Sequence, residues 1–339
     1  MLAHHGVEVE RVTPETFPTV PFPTYPEVRL ACFPFPQVER RIRSFSPDAI
    51  HIATEATLGM TARHYCLKYG IPFTTSFHTR FPDYLYTHMR VPKAISFAFL
   101  KRFHRSASAV MVSTSSLRRE LRLRGFRRLR QWSRGVDTQV FQPGDKAWLN
   151  LPRPVLLYVG RVAPEKNLEA FLSLPTPGTK LVVGGGPQLA LLKVQFPEAV
   201  FVGEQRGADL ARYYAASDVL VFPSKTDTFG LVMLEALACG IPVAAFPVQG
   251  PLDVLGRHSQ VGCLSHDLGA AIQKALQIPP ERCRPYALRY SWEASARQFY
   301  DNLCPLNTHA ASAGPHSSSR THWLSALLPP RLHPLEWGF

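Results

Sequence analysis

Arg161 and Lys166 stand five residues apart in GRVAPEKN, directly after the apolar run VLLYV that ends at Gly160. From a strand-end loop and the first turn of a helix, both side chains can reach one anion. A diphosphate gains negative charge as the bond to it breaks, and fixed cations stabilise that charge. Further on, Gly184, Gly185 and Gly186 follow the run KLVV and precede Pro187. Glycine permits positive φ and close backbone approach, and proline suits a first helical turn. The N–H groups at such a helix start can face a phosphate. The triplet is not GxGxxG, which argues against a dinucleotide-dependent dehydrogenase.

Asp227 and Glu235 lie eight positions apart around the helical stretch FGLVMLEALACG. Glu235 interrupts an apolar stripe, where a carboxylate is costly to bury without a partner. Ribose or sugar hydroxyls are suitable partners. The Pro223-Ser224 entry and the Phe229-Gly230 helix start support a ligand role over a solvated acid. His78 follows the run IPFTTSF, with Thr79 and Tyr84 nearby. The carboxyl end of a strand is where open α/β sheets bind ligands. No DxD triplet occurs, so no carboxylate pair is expected to clamp a metal diphosphate, and no metal site is expected.

The elements that must position these residues alternate strand and helix, which argues for parallel sheets covered on both faces. In the first half PDAIHIA, IPFTTSF and AVMVS read as strands. LGMTARHYCLKYG, KAISFAFLKRFHRSA and TSSLRRELRLRG read as helices. The stretch FQPGDKAWLNLPRP reads as a linker. VLLYVG, KLVVG, AVFVG, DVLVF and PVAAF then read as strands, with ARYYAAS and FGLVMLEALACG as helices among them. The expected division is 1–145, 146–303 with a closing helix, and a disordered tail at 304–339, rich in Pro, His and Ser and without helix or strand period.

A length of 339 residues suits two domains, each with its own core. No apolar run is long enough to span a bilayer. The six cysteines lie far apart with no ligand spacing, and they read as reduced thiols of a cytoplasmic protein. The net charge of +13 is concentrated. Between Arg80 and Arg134 fourteen Lys and Arg face two acids, Asp83 and Glu120. Such a patch is a solvated face or attracts an anionic surface, phospholipid or nucleic acid.

In this order, GRVAPEKN, GGGP, the block ASDVLVFPSKTDTFGLVMLEALACGIPVAAF and RGVDTQVF resemble the retaining nucleotide-sugar glycosyltransferases of family 4. The resemblance covers about residues 3 to 303. TSFHTRFPDYL is similar to members that glycosylate lipids, of α-mannosyl and sulfoquinovosyl type. The resemblance implies a GT-B fold: two Rossmann-like α/β domains with parallel sheets facing a central cleft. It implies a GDP- or UDP-linked hexose donor, mannose first, a lipid or glycan acceptor, no cofactor or metal, and a peripheral place on the inner face of the plasma membrane. Nucleic acid is not an expected partner.

Carried over by position, Arg161 and Lys166, after Gly160, hold the donor diphosphate, and Gly185 and Gly186 shape the phosphate loop. Glu235 bonds the ribose. Asp227, which replaces the first Glu of the family's E-x7-E motif, meets the sugar hydroxyls together with the backbone at Phe229, Gly230 and Leu231. Val202 and Gly203 lie near the base, and His78 touches the transferred sugar. The family opens with a strand and a glycine-rich loop, whereas this sequence opens at LAHHGVEVERVTP, similar to the end of the first helix and the second strand. An interior gap in the first sheet is therefore expected. The alternative readings are an inactive remnant of such an enzyme and, less favoured, a basic nucleic-acid-binding protein.

Overall fold

The structure, a computed structural model, describes residues 6–22, 25–77, 82, 90–225, 229–257, 259–306 and 321–326, with backbone alone at 25–28 and 321–326. The chain divides into two compact units. The first comprises 1–133 with 296–331, and the second is centred on 134–295. The division falls ahead of the start at 146 expected from the sequence. Its physical cause is local. Val136 N–H donates to Tyr290 O (2.8 Å) and Trp292 N–H to Val136 O (3.1 Å), which fastens the RGVD segment to the second unit.

In the first unit β1 is Val7–Arg11, β2 Thr19–Phe22, β3 Tyr25–Ala31, β4 Ala49–Ile52, β5 Thr74–Phe77, β6 Ala109–Val112 and β7 Leu129–Gln131. Its helices are α1 Phe35–Phe45, α2 Thr57–Lys68, α3 Lys93–His104 and α4 Ser115–Leu123. Strands β4, β5 and β6 are buried on both faces, as continuous apolar runs in a parallel sheet should be. Helix α4 begins as its Ser/Thr-rich start predicts: Thr114 Oγ1 accepts from Leu117 N–H at 3.2 Å.

The β2–β3 hairpin and α1 were not among the elements read from the sequence. The hairpin pairs antiparallel as a two-stranded sheet of its own, so every strand in it is an edge strand. That is where prolines such as Pro21 and Pro26 are tolerated, and those prolines hide the strand signal.

The structure also differs from expectation in the tail. Thr321–Ala326 forms a strand, β14, that runs parallel between β1 and β4, giving the order β1-β14-β4-β5-β6-β7. Trp323 is registered against both Val9 and Ala49. The slot expected to be an interior gap is thus filled by a tail segment expected to be disordered. Two parallel strands with open N–H and C=O groups offer a ladder on each side. A strand buried between them needs no alternating pattern, so a run such as THWLSA carries no periodicity to read.

The second unit holds β8 Val155–Val159, β9 Thr179–Val183, β10 Val200–Gly203, β11 Val219–Phe222, β12 Val243–Ala245 and β13 Gly262–Leu264. Its helices are α5 Glu169–Leu172, α6 Leu189–Gln195, α7 Gly207–Ala215, α8 Leu231–Ala238, α9 Gln249–Val254, α10 Leu268–Ala275 and α11 Cys283–Leu288. Helix α12, Trp292–Asn302, carries the chain back into the first unit. There Asn302 Nδ2 donates to Gln131 O at 2.7 Å, and Gln298 Oε1 accepts from Ser133 N–H at 2.9 Å.

The second sheet is all parallel in the order β10-β9-β8-β11-β12-β13. Apolar clusters cover both of its faces, one around Tyr214 and Leu237, the other around Phe171 and Ile272. The chain builds outward from β8 to β10, then crosses back to place β11 on the other side of β8. The order therefore reverses between β8 and β11, and a ligand crevice is expected outside the carboxyl ends of those two strands.

Within the first unit His51 is buried between hydroxyls, with Nδ1 2.9 Å from Thr74 Oγ1 and Nε2 3.0 Å from Ser76 Oγ. Burial lowers its pKa from the ordinary 6.5 to about 3. A base depressed on folding contributes stability that is full above pH 6.5 and is lost as the pH falls from there towards 3. Urea unfolding between pH 8 and pH 4 should show this loss, and His51→Gln should flatten the slope. An unchanged slope in the variant would assign the acid sensitivity to another group.

Candidate functional site

The site is built where β8, β9, β10 and β11 end. Gly160 N–H donates to Val183 O (3.0 Å), Val162 N–H to Gly185 O (2.8 Å), Gln188 N–H to Val162 O (3.1 Å) and Gly184 N–H to Gly203 O (2.8 Å). Three successive loops are thereby zipped edge to edge beyond the sheet. The glycines are what permit this. A Cβ on Gly184 would stand 1.8 Å from Gly160 O, and one on Gly186 2.4 Å from Val162 O. Their φ values, +149° and +151°, lie where side-chain-bearing residues are strained. Gly185 differs: its φ is not positive, and a Cβ would meet only the Glu204 side chain, at 3.0 Å from Oε1.

Across the reversal point, Asn167 Nδ2 donates to Pro223 O at 3.1 Å and ties the loop after β8 to the loop after β11. Asn167 takes φ +57°, a left-handed conformation that asparagine tolerates. It closes the short helical turn Pro164–Lys166. Arg161 is exposed, and its carbonyl accepts from Tyr158 Oη at 2.8 Å, which fixes the backbone that carries it. Lys166 is buried at 8% exposure. The sequence placed both on one anion; the structure leaves Arg161 exposed and Lys166 buried. Ser224, 1% exposed, has a buried Oγ with no hydrogen-bond partner among the described residues. A buried hydroxyl left unpaired is costly, and at this crevice it suits a polar ligand.

Phe229 is buried and Gly230 caps α8 at φ +80° with no side-chain cap. In the first turn the Met233 N–H donates to Gly230 O at 3.1 Å, whereas the N–H groups of Leu231 and Val232 lie too close to the helix start to have an intrahelical acceptor. Glu235 sits one turn in, at 8% exposure. Its Oε2 accepts from Tyr214 Oη at 2.8 Å, so one oxygen is already committed within the protein. Burial pushes the Glu235 carboxyl up to about 7, and the Tyr214 hydrogen bond works against that rise. Val202 and Gly203, the latter at φ +76°, end β10 half-buried. Val202 O accepts from Gln205 Nε2 at 3.2 Å. His78 and Asp227 lie outside the described residues, as do Thr79 and Tyr84.

Tyr214, Asn167 and Ser224 were not singled out as candidate site residues. A signal existed for Tyr214: 210, 211, 214 and 215 form one buried face of α7, which separates Tyr214 from its neighbour Tyr213. Asn167 and Ser224 act through loop geometry that no spacing encodes. Among the described residues no group of three or more His, Cys, Asp or Glu could hold a metal ion, and no helix is long and apolar enough to cross a membrane.

Two α/β units, each with a parallel sheet, the second with phosphate-suited loops at its strand reversal, match the GT-B class of glycosyltransferases. Comparison with known proteins gives the same answer. Residues 2–140 match Glycosyltransferase Family 4, and residues 145–289 match Glycosyl transferases group 1. A GDP-mannose-dependent alpha-mannosyltransferase of Mycobacterium tuberculosis is 32% identical over 283 residues, which is 79% of this chain and 73% of the relative. The sulfoquinovosyl transferase of Arabidopsis thaliana is 31% identical over 253 residues, 69% of this chain and 49% of that protein. Among solved structures, sucrose-phosphate synthase from Thermosynechococcus elongatus superposes with a TM-score of 0.64 at 23% identity, covering 88% of this chain and 89% of the other. Anabaena HepE in complex with UDP-glucose gives 0.58 at 18% identity, with coverage of 78% and 81%. The chain belongs to the family 4 glycosyltransferases, and it is a glycosyltransferase of GT-B fold.

The glycine loop yields a contrast that alanine substitution can test. Gly184→Ala and Gly186→Ala each incur about 1–3 kcal/mol from φ alone, with a backbone clash added. They should lower the melting temperature and weaken nucleotide binding. Gly185→Ala should keep the fold, because the exposed Glu204 side chain can move aside. Equal behaviour of the three variants in a thermal melt would show that the loops are looser than described.

Proposed function

We propose that the second unit binds a nucleotide diphosphate sugar in the crevice between the β8 and β11 loops, and that the chain transfers a hexose, mannose first, to a lipid or glycan acceptor with retention of configuration. The observation that carries this reading is the coincidence of the strand-order reversal with the zipped glycine loops, Arg161, Lys166, the glycine-led start of α8 and Glu235. Support for the donor comes from relatives named as GDP-mannose-dependent, and from neighbours solved with UDP and UDP-glucose.

In this reading the diphosphate lies along the amino end of α8 and the Gly184–Gly186 loop, whose N–H groups meet its oxygens. Arg161 and Lys166 neutralise the charge that grows on the leaving group, so the reading calls for no metal or cofactor. Glu235 accepts from the ribose, Val202 and Gly203 border the base, and Asp227 with the Phe229–Leu231 backbone meets the sugar. His78 is assigned to the transferred sugar, as the family resemblance implies. The acceptor belongs to the first unit, and the protein works at the cytoplasmic face of an anionic membrane. Support for the membrane is the basic excess of that unit. It includes a hollow lined by Arg122, Arg127, Arg128 and Arg130 with Ser108 and Phe126, and it has no acidic residue in its lining. Nucleic acid is not a proposed partner.

A donor screen against membrane lipid extract tests the activity, with GDP-mannose and UDP-hexoses compared in parallel. Arg161→Ala should reduce turnover about tenfold or more while changing donor affinity less, because its charge matters most as the bond breaks. Wild-type turnover in that variant would remove Arg161 from the leaving-group role. Sedimentation with vesicles should show salt-sensitive binding to anionic lipid and none to neutral lipid. Equal binding to both would argue for an acceptor taken from solution.

A further inference from the structure

The Glu235 carboxylate is held from below. Tyr214 is fully buried on α7, and its hydroxyl reaches Oε2 at 2.8 Å. Its ring is fixed edge-on against Phe141, with centroids 5.7 Å apart. Oε1 has no hydrogen-bond partner among the described residues, and Glu235 retains 8% exposure. A tyrosine with no freedom to turn and one hydroxyl to give can serve only one orientation of the carboxylate.

We propose that Tyr214 is a positioning residue for the donor: its hydroxyl pins Oε2 and leaves Oε1 as the oxygen that accepts from the ribose of a nucleoside diphosphate. The proposal rests on the donor reading above and adds a residue to it. It also gives donor binding a pH dependence. An ionised carboxylate accepts from ribose hydroxyls at every lone pair, whereas a protonated one has an O–H to place in an apolar pocket. Among the described residues the ionisable groups facing Glu235 are Tyr214 from α7 and Cys239 one turn along from it. Behind them stand Tyr158 on β8, beside Tyr214, and Arg284 on α11, beside Cys239. Burial raises the Glu235 carboxyl to about 7 and the Tyr214 hydrogen bond lowers it. Affinity should therefore climb as the pH rises through about 7. Loss of the Tyr214 hydroxyl should move that midpoint to higher pH.

Calorimetric titration of GDP and UDP into the full chain between pH 5.5 and 8.5 tests this, with wild type, Tyr214→Phe and Glu235→Gln compared. Tyr214→Phe should bind roughly three- to tenfold more weakly at neutral pH, about the net worth of one ordinary hydrogen bond. Its midpoint should shift upward, and Glu235→Gln should be weak and flat across the range. A purely structural tyrosine would lower the melting temperature and leave the midpoint where it is; that result overturns the proposal. If wild type binds neither nucleotide, the donor reading itself falls and the proposal with it. Should Tyr214→Phe not fold, 3-fluorotyrosine incorporated at 214 keeps the ring and donates more strongly. Its midpoint should then move to lower pH, and an unmoved midpoint is again the contrary result.

Discussion

The site depends on how closely the backbone loops approach one another beyond the carboxyl edge of the second sheet. Gly184 stands so near Gly160 O, and Gly186 so near Val162 O, that no side chain fits at either position. That closeness lets four backbone hydrogen bonds join the ends of β8, β9 and β10 into one ledge. Arg161, Lys166 and the half-buried end of β10 are then placed by the ledge and not by their own flexibility. A single Cβ in the wrong glycine would open the ledge, whereas changing one of the charged residues would leave it standing. The architecture thus separates the parts that shape the site from the parts that supply its charge.

Glu235 illustrates the same separation one layer down. A carboxylate in an apolar helix is expensive, and the structure lowers that cost with a tyrosine hydroxyl instead of exposing it to water. The arrangement leaves the group near neutrality, with its charge sensitive to whatever else enters the crevice. The Ser224 hydroxyl, just past β11, is a second buried polar group, without a hydrogen-bond partner among the described residues. A buried polar group that the protein does not fully satisfy costs stability, and a polar ligand would offset that cost.

The strands that carry the site were legible because each is a continuous apolar run ended by glycine or proline: VLLYVG, KLVVG, AVFVG, DVLVF. Glu235 was legible because an acid in LVMLEALA breaks its surroundings. Pro223-Ser224 was legible as an entry to the helix, but the link from Asn167 to Pro223 O was not, because it arises where chain segments far apart in sequence meet. Tyr214 was legible in principle from the period of α7, yet a tyrosine on a buried face usually signals packing. In the first unit the β2–β3 hairpin was hidden by its own prolines. β14 was hidden because a central parallel strand needs no alternation, and its pairing partners lie some three hundred residues away in sequence. His78 and Asp227, both legible as candidates, lie outside the described residues and remain proposals of the sequence.

Amide hydrogen exchange of the full chain, measured with and without GDP and UDP, tests the central claim most directly. If the donor binds at the strand reversal, a nucleotide slows exchange in the segments 160–168, 184–188, 203–205 and 230–235 together. Protection confined to the first unit, or none with either nucleotide, would contradict a donor site at the reversal point of the second sheet.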